Sequence, residues 1–267
     1  MWDGVKAFKK VERWERRRVK RIKDEDLYKT IEEVFDSATL NALYQLLNRR
    51  VIDVMAGAVA AGKESKVYLA YDPNGKALAV KVYLTSSREF RKGIWTYIAG
   101  DPRFQDVKKG SRSLIYAWAL KEFKNLDLAY KAGVPVPRPI AVNKNILVME
   151  FIGMDGTPAP LMKDAPPSNP ESVFAKLMDG VRLLYQKAGL VHGDLSEYNV
   201  LMLNDNPYIF DFGQAVLKTH PQAEELLARD IRTLKAFFYK LGLKTLSLEE
   251  LLNWVKTGTR LNDLIIG

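Results

Sequence analysis

The sequence predicts an α+β protein in which an antiparallel β lobe is followed by a reduced helical lobe, with short helices ahead of both. Three observations carry that reading: the hydrophobic period changes from helical to two-residue near Val51, three β-rich runs follow closely, and residues beyond about 170 return to helical spacing. Over 26–50, Ile31, Val34 and Phe35, then Leu40, Leu43, Leu46 and Leu47, recur at helical spacing and predict two short amphipathic helices. From Val51 to Tyr83 the runs V-I-D-V-M-A-G-A-V-A, S-K-V-Y-L-A-Y and A-L-A-V-K-V-Y are joined by the turns A-A-G-K-E and D-P-N-G-K. Each turn carries a glycine suited to tight reversal, so the three runs form an antiparallel meander.

Residues 85–113 have polar and basic character, four turn-forming Gly and Pro residues and no sustained period, which predicts a long mobile insertion. A helix follows from Ser113 to about Lys131 and stops at Gly133, the residue best suited to a left-handed cap. After the stiff V-P-V-P-R-P segment, N-I-L-V-M-E-F-I-G reads as another buried strand, and the Pro-rich passage from Pro158 to Pro170 as a connector between lobes. Helices are expected at 171–188, 221–241 and 247–256, the last opened by a capping box of Ser247 and Glu250. The organisation is therefore a basic arm with helices over 1–50, a β lobe over 51–153 and a helical lobe over 154–267.

Composition removes several classes of chemistry. The 267 residues include no cysteine and two histidines, so disulfide scaffolds, zinc fingers, iron–sulfur sites and thiol nucleophiles are excluded. Any metal must be held by oxygen. The longest apolar stretch, Ile146–Ile152, is interrupted by Glu150 and is too short to span a bilayer, and the N-terminus lacks a secretory apolar core. A cytoplasmic location without a membrane partner is expected.

The net charge of +9 is concentrated at one end. Residues 1–23 hold ten Lys/Arg and three acids, an excess of +7, against 31 basic and 29 acidic side chains elsewhere. With Trp2, Phe8 and Trp14 interleaved, this arm suits phosphate backbones and stacked bases, or else forms a solvated helix face.

The chemistry lies in V-H-G-D-L-S-E-Y-N-V-L-M-L, residues 191–203, and Y-I-F-D-F-G-Q, residues 208–214. Asp194 and Asn199 fall on a loop between a helix and a short strand, and Asp211 at the end of the next strand. This set suits phosphoryl transfer: Asn199 and Asp211 offer hard oxygen ligands to Mg²⁺, and Asp194 orients or accepts the proton of an attacking hydroxyl or water. The plainer reading of the three is as turn and cap residues. His192 reads as a packing and hydrogen-bonding brace rather than an acid or base.

These two strings resemble the catalytic and metal-binding loops of the protein-kinase-like superfamily, which implies a two-lobed protein-kinase-like fold. Lys81 in A-V-K-V-Y resembles the strand lysine that grips the nucleotide's α and β phosphates, and Glu122 in K-E-F-K-N-L the helix glutamate that pairs with it. As ordinary residues these would be an edge-strand lysine and an exposed helical acid. The glycine-rich nucleotide loop is replaced by A-A-G-K-E-S-K-V-Y, so Lys63 and Ser65 would meet the phosphates together with backbone N–H groups. No A-P-E follows D-F-G in these residues, and a helical lobe without the peptide-docking half of a conventional kinase is expected.

The combination of G-K-E-S-K-V-Y, K-E-F-K-N-L, M-E-F-I-G, H-G-D-L-S-E-Y-N and H-P-Q-A-E-E-L-L-A-R-D resembles the RIO family of atypical serine/threonine kinases, over roughly residues 26–245. The short chain is most similar to the first subfamily in its archaeal form, although D-F-G-Q departs from the subfamily's usual residues. The resemblance implies an ATP- and Mg²⁺-dependent protein kinase that works mainly as an ATPase switch on a maturing small ribosomal subunit, and the charge of the arm over 1–23 then suggests a tether to its rRNA. It also implies that Asp211 carries a transient aspartyl-phosphate, that Glu150 and Ile152 offer backbone groups to adenine and that Met149 lines the pocket. The rival readings are a small-molecule phosphotransferase of the aminoglycoside or choline kinase type and a non-catalytic RNA-binding assembly factor.

Overall fold

A computed structural model describes residues 36–85, 88–99, 101–108 and 112–258. The basic arm of 1–23 and the helix expected before residue 36 lie outside the described residues. The chain separates into two compact units, one of Met1–Gly93, Val107–Leu120 and Pro139–Phe151, the other of Ile94–Asp106, Lys121–Arg138 and Ile152–Gly267.

The first unit is built on a five-stranded antiparallel sheet. Helix α1 (Ser37–Asn48) starts where the Asp36 carboxylate accepts the Thr39 N–H at 2.8 Å. It is followed by β1 (Val54–Ala61), β2 (Ser65–Tyr71) and β3 (Ala77–Tyr83), and later by β4 (Pro139–Asn143) and β5 (Ile146–Glu150), in the spatial order β1-β2-β3-β5-β4. Alternation along β3 sends Leu78, Val80 and Val82 to the face where they bury against Ala42 and Leu46 of α1 with Ile146 and Val148 of β5. The other face is fixed by register: Val67 lies opposite Lys81, which lies opposite Leu147, and Leu69 opposite Ala79, opposite Met149. Buried Asn145 ties the layers together by donating to Thr39 Oγ1 at 2.9 Å and to the Tyr83 carbonyl at 2.8 Å.

The strand β4 is not evident from sequence, because its Pro139 looks like the end of a stiff linker. It sits at the sheet edge, where a residue without an N–H leaves no ladder bond broken. The expected mobile insertion over 85–113 is corrected as well. Residues Arg88–Ile98 form helix α2, with Ile94 and Ile98 buried, and Pro102–Phe104 form a 3₁₀ turn capped by Asp101. The helical spacing of Ile94, Tyr97 and Ile98 is present in the sequence, but Gly93 disguises it; a Cβ at Gly93 would meet nothing within 4 Å.

Helix α3 (Arg112–Lys131) begins in the first unit and ends in the second. It closes at Gly133, whose φ of +83° is the left-handed cap its position requires. The second unit then holds β6 (Gly153–Met154), β7 (Thr157–Pro158), α4 (Pro170–Leu183), β8 (Leu190–Val191), β9 (Val200–Leu203), β10 (Asn206–Ile209), β11 (Val216–Leu217), α5 (Ala223–Lys240) and α6 (Leu248–Thr257). Helix α4 is capped by Asn169, starts with Pro170 and continues into a π turn over Leu184–Ala188. Its buried stripe of Val173, Phe174, Leu177 and Val181 meets α5, where the Phe174 and Phe238 rings lie edge to face at 5.2 Å. The expected capping box of Ser247 and Glu250 opens α6.

The Pro158–Pro170 passage is not a connector, since it lies wholly within the second unit. Its backbone is pinned there: Met162 N–H donates to the Val200 carbonyl and Met202 N–H to the Pro160 carbonyl, both at 2.8 Å. Strands β9 and β10 form a hairpin through Asn204 and Asp205, both at positive φ, with paired register from Asn206–Leu203 to Ile209–Val200. Among the described residues, no helix is long and apolar enough to cross a membrane.

The two glycine turns of the meander differ in kind. Gly75 has a φ of +80°, and the Asp72 carboxylate holds its turn by accepting the Asn74 and Lys76 N–H groups at 2.8 and 2.9 Å. Gly62 is not in the left-handed region, and a Cβ there would meet only the Ser65 carbonyl at an ordinary 3.5 Å. Gly75→Ala should therefore cost ~1 kcal/mol in urea unfolding while Gly62→Ala leaves stability within ~0.3 kcal/mol. Equal costs would contradict this account of the turns.

Candidate functional site

The second unit gathers three of the expected side chains around one loop, residues 192–199, between β8 and β9. The loop is held from behind by α5. Gly193 N–H donates to Asp230 Oδ2 at 2.8 Å and Leu195 N–H to Asp230 Oδ1 at 2.9 Å, so both amides flanking Asp194 are tied to one buried carboxylate. Gly193 has a φ of +76°, and a Cβ there would press on the Gln214 carbonyl at 3.3 Å, so both conformation and space call for glycine. The Arg229 guanidinium donates to the Gly193 carbonyl.

Asp230 is 2% exposed, and burial pushes its carboxyl up to about 7 against the pull of the two amides and of Arg229. In the sequence its helix stands out only as a family landmark, and Asp230 has no role there. A signal is available all the same: Leu227, Asp230, Ile231 and Leu234 share one stripe of α5, which places an acid on the buried face.

His192 braces the loop from another side. Its Nε2–H donates to the Phe210 carbonyl at 3.1 Å, and its ring lies edge to face with Phe212 at 4.8 Å. Burial lowers its pKa from 6.5 to about 4, so the ring is neutral at ordinary pH.

Asp194 is reached from two segments. Asn199 Nδ2 donates to the Asp194 carbonyl at 2.7 Å and more weakly to Oδ2 at 3.3 Å, while Gln214 Nε2 donates to the same Oδ2 at 3.3 Å. Gln214, a departure from family habit in the sequence, therefore faces the carboxylate. Burial and the nearby negative charge of Asp211 raise the Asp194 pKa, with Arg229 and Asn199 pulling the other way. Asp211 itself follows β10 at a φ of +65°, a conformation that costs a non-glycine residue about 1–2 kcal/mol. Phe210 N–H donates to the Asn199 carbonyl at 3.1 Å and stitches the two loops together.

The donor set suits a magnesium ion. Asn199 commits its amide nitrogen to Asp194 and keeps Oδ1 as a hard ligand, and a cation relieves the repulsion by which Asp211 raises the Asp194 pKa. No group of three or more His, Cys, Asp or Glu arranged for a metal occurs among the described residues. A magnesium site needs none, because the ion usually keeps waters and substrate oxygens with one or two protein ligands.

The other expected residues divide between the units. In the first, Lys81 is 6% exposed in the central strand β3, on the face shared with Val67, Leu69, Ala79, Leu147 and Met149, with Nζ 5.0 Å from the Tyr83 ring centre. It is not an edge-strand lysine. Lys63 is exposed and Ser65 half-buried at the β1–β2 turn, where Gly62 N–H donates to the Ser65 carbonyl. Glu150 ends β5 and pairs with Lys76 at 3.2 Å. In the second unit, Glu122 is 1% exposed on α3, and the Ile152 carbonyl accepts the Ala159 N–H at 2.9 Å. An exposed helical acid is thereby excluded for Glu122.

A histidine with a depressed pKa binds fewer protons in the folded than in the unfolded chain between about 6.5 and 4, so its contribution to stability falls as pH drops through that window. The stability advantage of the native protein over His192→Gln should shrink by ~2 kcal/mol between pH 7 and pH 4.5. Parallel stability curves for the two proteins would refute a buried neutral imidazole.

Residues 66–251 match the family model of the RIO domain. The chain is 40% identical over 222 residues to the RIO-type serine/threonine-protein kinase Rio1 of Haloferax volcanii, covering 83% of this chain and 76% of that one. It is 42% identical over 215 residues to Rio1 of Methanocaldococcus jannaschii, covering 80% and 72%. The human serine/threonine-protein kinase RIO1 is 37% identical over 239 residues, which are 88% of this chain and 42% of that protein. Among solved structures, the Rio2 kinase of Chaetomium thermophilum superposes with a TM-score of 0.64 at 27% identity, covering 84% of this chain and 70% of that one. A second structure of that kinase, an ADP/Mg²⁺-phosphoaspartate complex, gives a TM-score of 0.66 at 24% identity over 85% and 68%.

Proposed function

The chain belongs to the RIO-domain family of atypical kinases, and on that premise we propose that it transfers the γ-phosphoryl group of ATP with magnesium. The observation that carries the proposal is the placement of Asp194 and Asn199 on a loop anchored by Asp230, with Asp211 near enough for its charge to raise the Asp194 pKa. Magnesium, when bound, supplies charge neutralisation across the transferring phosphates. Asn199 and Asp211 hold it through oxygen. Lys81, buried on its strand, neutralises the α and β phosphates, and Glu122 fixes the lysine's aim. Lys63 and Ser65 meet the phosphates from the β1–β2 turn. Backbone groups of Glu150 and Ile152 take the adenine edge, and Met149 lines its pocket with Ala79 and Leu69.

Asp194 takes the proton of the attacking hydroxyl or water. Its raised pKa strengthens it as a base, and Asn199 and Gln214 orient its carboxylate. Asp211 is additionally assigned as the acceptor of a transient phosphoryl group, a reading supported by the phosphoaspartate complex of the C. thermophilum Rio2 kinase. Protein serine/threonine phosphorylation and ATP hydrolysis are both assigned to this site. Work on a maturing small ribosomal subunit in the cytoplasm is the proposed setting, with the basic arm of 1–23 on rRNA.

Asp194→Ala should lower turnover of γ-labelled ATP by ~10²–10⁴-fold while Mg-ATP binding persists, whereas Asp211→Ala should weaken metal-dependent binding. Full turnover in both variants would sink the assignment. Deleting residues 1–23 should weaken binding to small-subunit precursor particles and flatten its salt dependence, by ~0.9 in log–log slope for each duplex phosphate that the arm no longer neutralises, while ATP turnover is unchanged. An unaltered slope would return the arm to a solvated helix face.

A further inference from the structure

Two buried polar residues of α3 have no part in the reaction just described. Lys121 and Asn125, both 0% exposed, lie one helical turn apart and face the backbone that follows Asp211. Lys121 Nζ donates to the Gly213 carbonyl at 2.9 Å and also to the Ala215 carbonyl. Asn125 Nδ2 donates to the Phe212 and Ala215 carbonyls, each at 3.0 Å. One helix therefore holds three carbonyls within the four residues 212–215, a turn whose own ladder begins only at Val216.

The pair is itself positioned. Asp101 accepts the Arg103 Nε–H and Nη2–H at 2.9 and 2.7 Å, and Arg103 Nη2 also donates to Asn125 Oδ1 at 2.8 Å. With its oxygen so engaged, the Asn125 amide must present its NH₂ to the backbone. Burial lowers the Lys121 pKa to about 7 against the charge of Asp101, yet an amine and an ammonium each carry at least two N–H donors for the two carbonyls. Apolar residues would cost less to bury here, but they would take these donors from the Gly213 and Ala215 carbonyls and leave the Phe212 carbonyl only the Ala215 N–H.

We propose that Lys121 and Asn125 are positioning residues that hold the backbone after Asp211, and with it the left-handed conformation aiming the Asp211 carboxylate, so that they set the metal-dependent part of nucleotide affinity. This inference rests on the assignment of Asp211 as a magnesium ligand. The aspartate's φ of +65° is the strained element, and the grip on residues 212–215 is what keeps it from relaxing.

The test is calorimetric titration of the full chain with ADP, in EDTA and in Mg²⁺, for the native protein, Lys121→Met and Asn125→Ala. Both variants should bind metal-free ADP within twofold of the native protein while the gain in affinity on adding Mg²⁺ falls at least tenfold. A gain kept within twofold in both variants overturns the inference. Loss of metal-free ADP binding in both also overturns it, marking the cluster as a folding element only. Failure of the native protein to show any Mg²⁺-dependent gain would instead strike the underlying site assignment.

Discussion

One buried carboxylate organises the polar site of the second unit. Asp230 receives the amides of Gly193 and Leu195, so the backbone on either side of Asp194 has no freedom to turn its side chain away. The arrangement is costly: burial raises the Asp230 pKa to about 7, and the two amides with Arg229 only partly offset this. A loop without need of a fixed geometry would be spared that cost. A loop whose Asp194 must face Asn199 and a charged Asp211 does need it, because two like carboxylates otherwise swing apart. His192 meets the same need without charge, joining the loop to Phe210 and Phe212.

Much of this was legible in the sequence. The meander of β1 to β3 was visible because two-residue alternation and glycine turns fall together, and Asp194, Asn199 and Asp211 stood out because their spacing repeats a known loop pair. What escaped had physical causes. Strand β4 begins with a proline, a residue that reads as a linker until its place at a sheet edge is known. Helix α2 hides behind Gly93 and a polar surface, and the Pro158–Pro170 passage resembles a linker although Met162 is completely buried. Asp230 and Lys121 escaped for a related reason: a charged residue on an apolar stripe is legible, but its partners are backbone groups that no sequence pattern marks.

The two units contribute different physics. The first buries a lysine in a central strand, on the face it shares with Val67, Leu69 and Met149. The second concentrates acids whose mutual repulsion raises the Asp194 pKa and favours a cation. In the proposed reaction Lys81 meets the phosphates, and magnesium offsets the repulsion that Asp211 exerts on Asp194. The electrostatic strain at Asp194 supports phosphoryl transfer alongside the two motifs. Phosphoryl transfer also explains why a cysteine-free sequence suffices, since every group in the scheme is a hard oxygen or nitrogen.

The central claim is that Asn199 and Asp211 hold magnesium against a nucleotide whose phosphates are met by Lys81. A crystal structure of the protein with Mg²⁺ and ADP tests it most directly. The account predicts a metal with Asn199 Oδ1 and an Asp211 oxygen at ~2.1 Å, and the Lys81 ammonium within hydrogen-bond reach of the α or β phosphate. A nucleotide bound with its metal on other side chains, or with Lys81 turned from the phosphates, would contradict it.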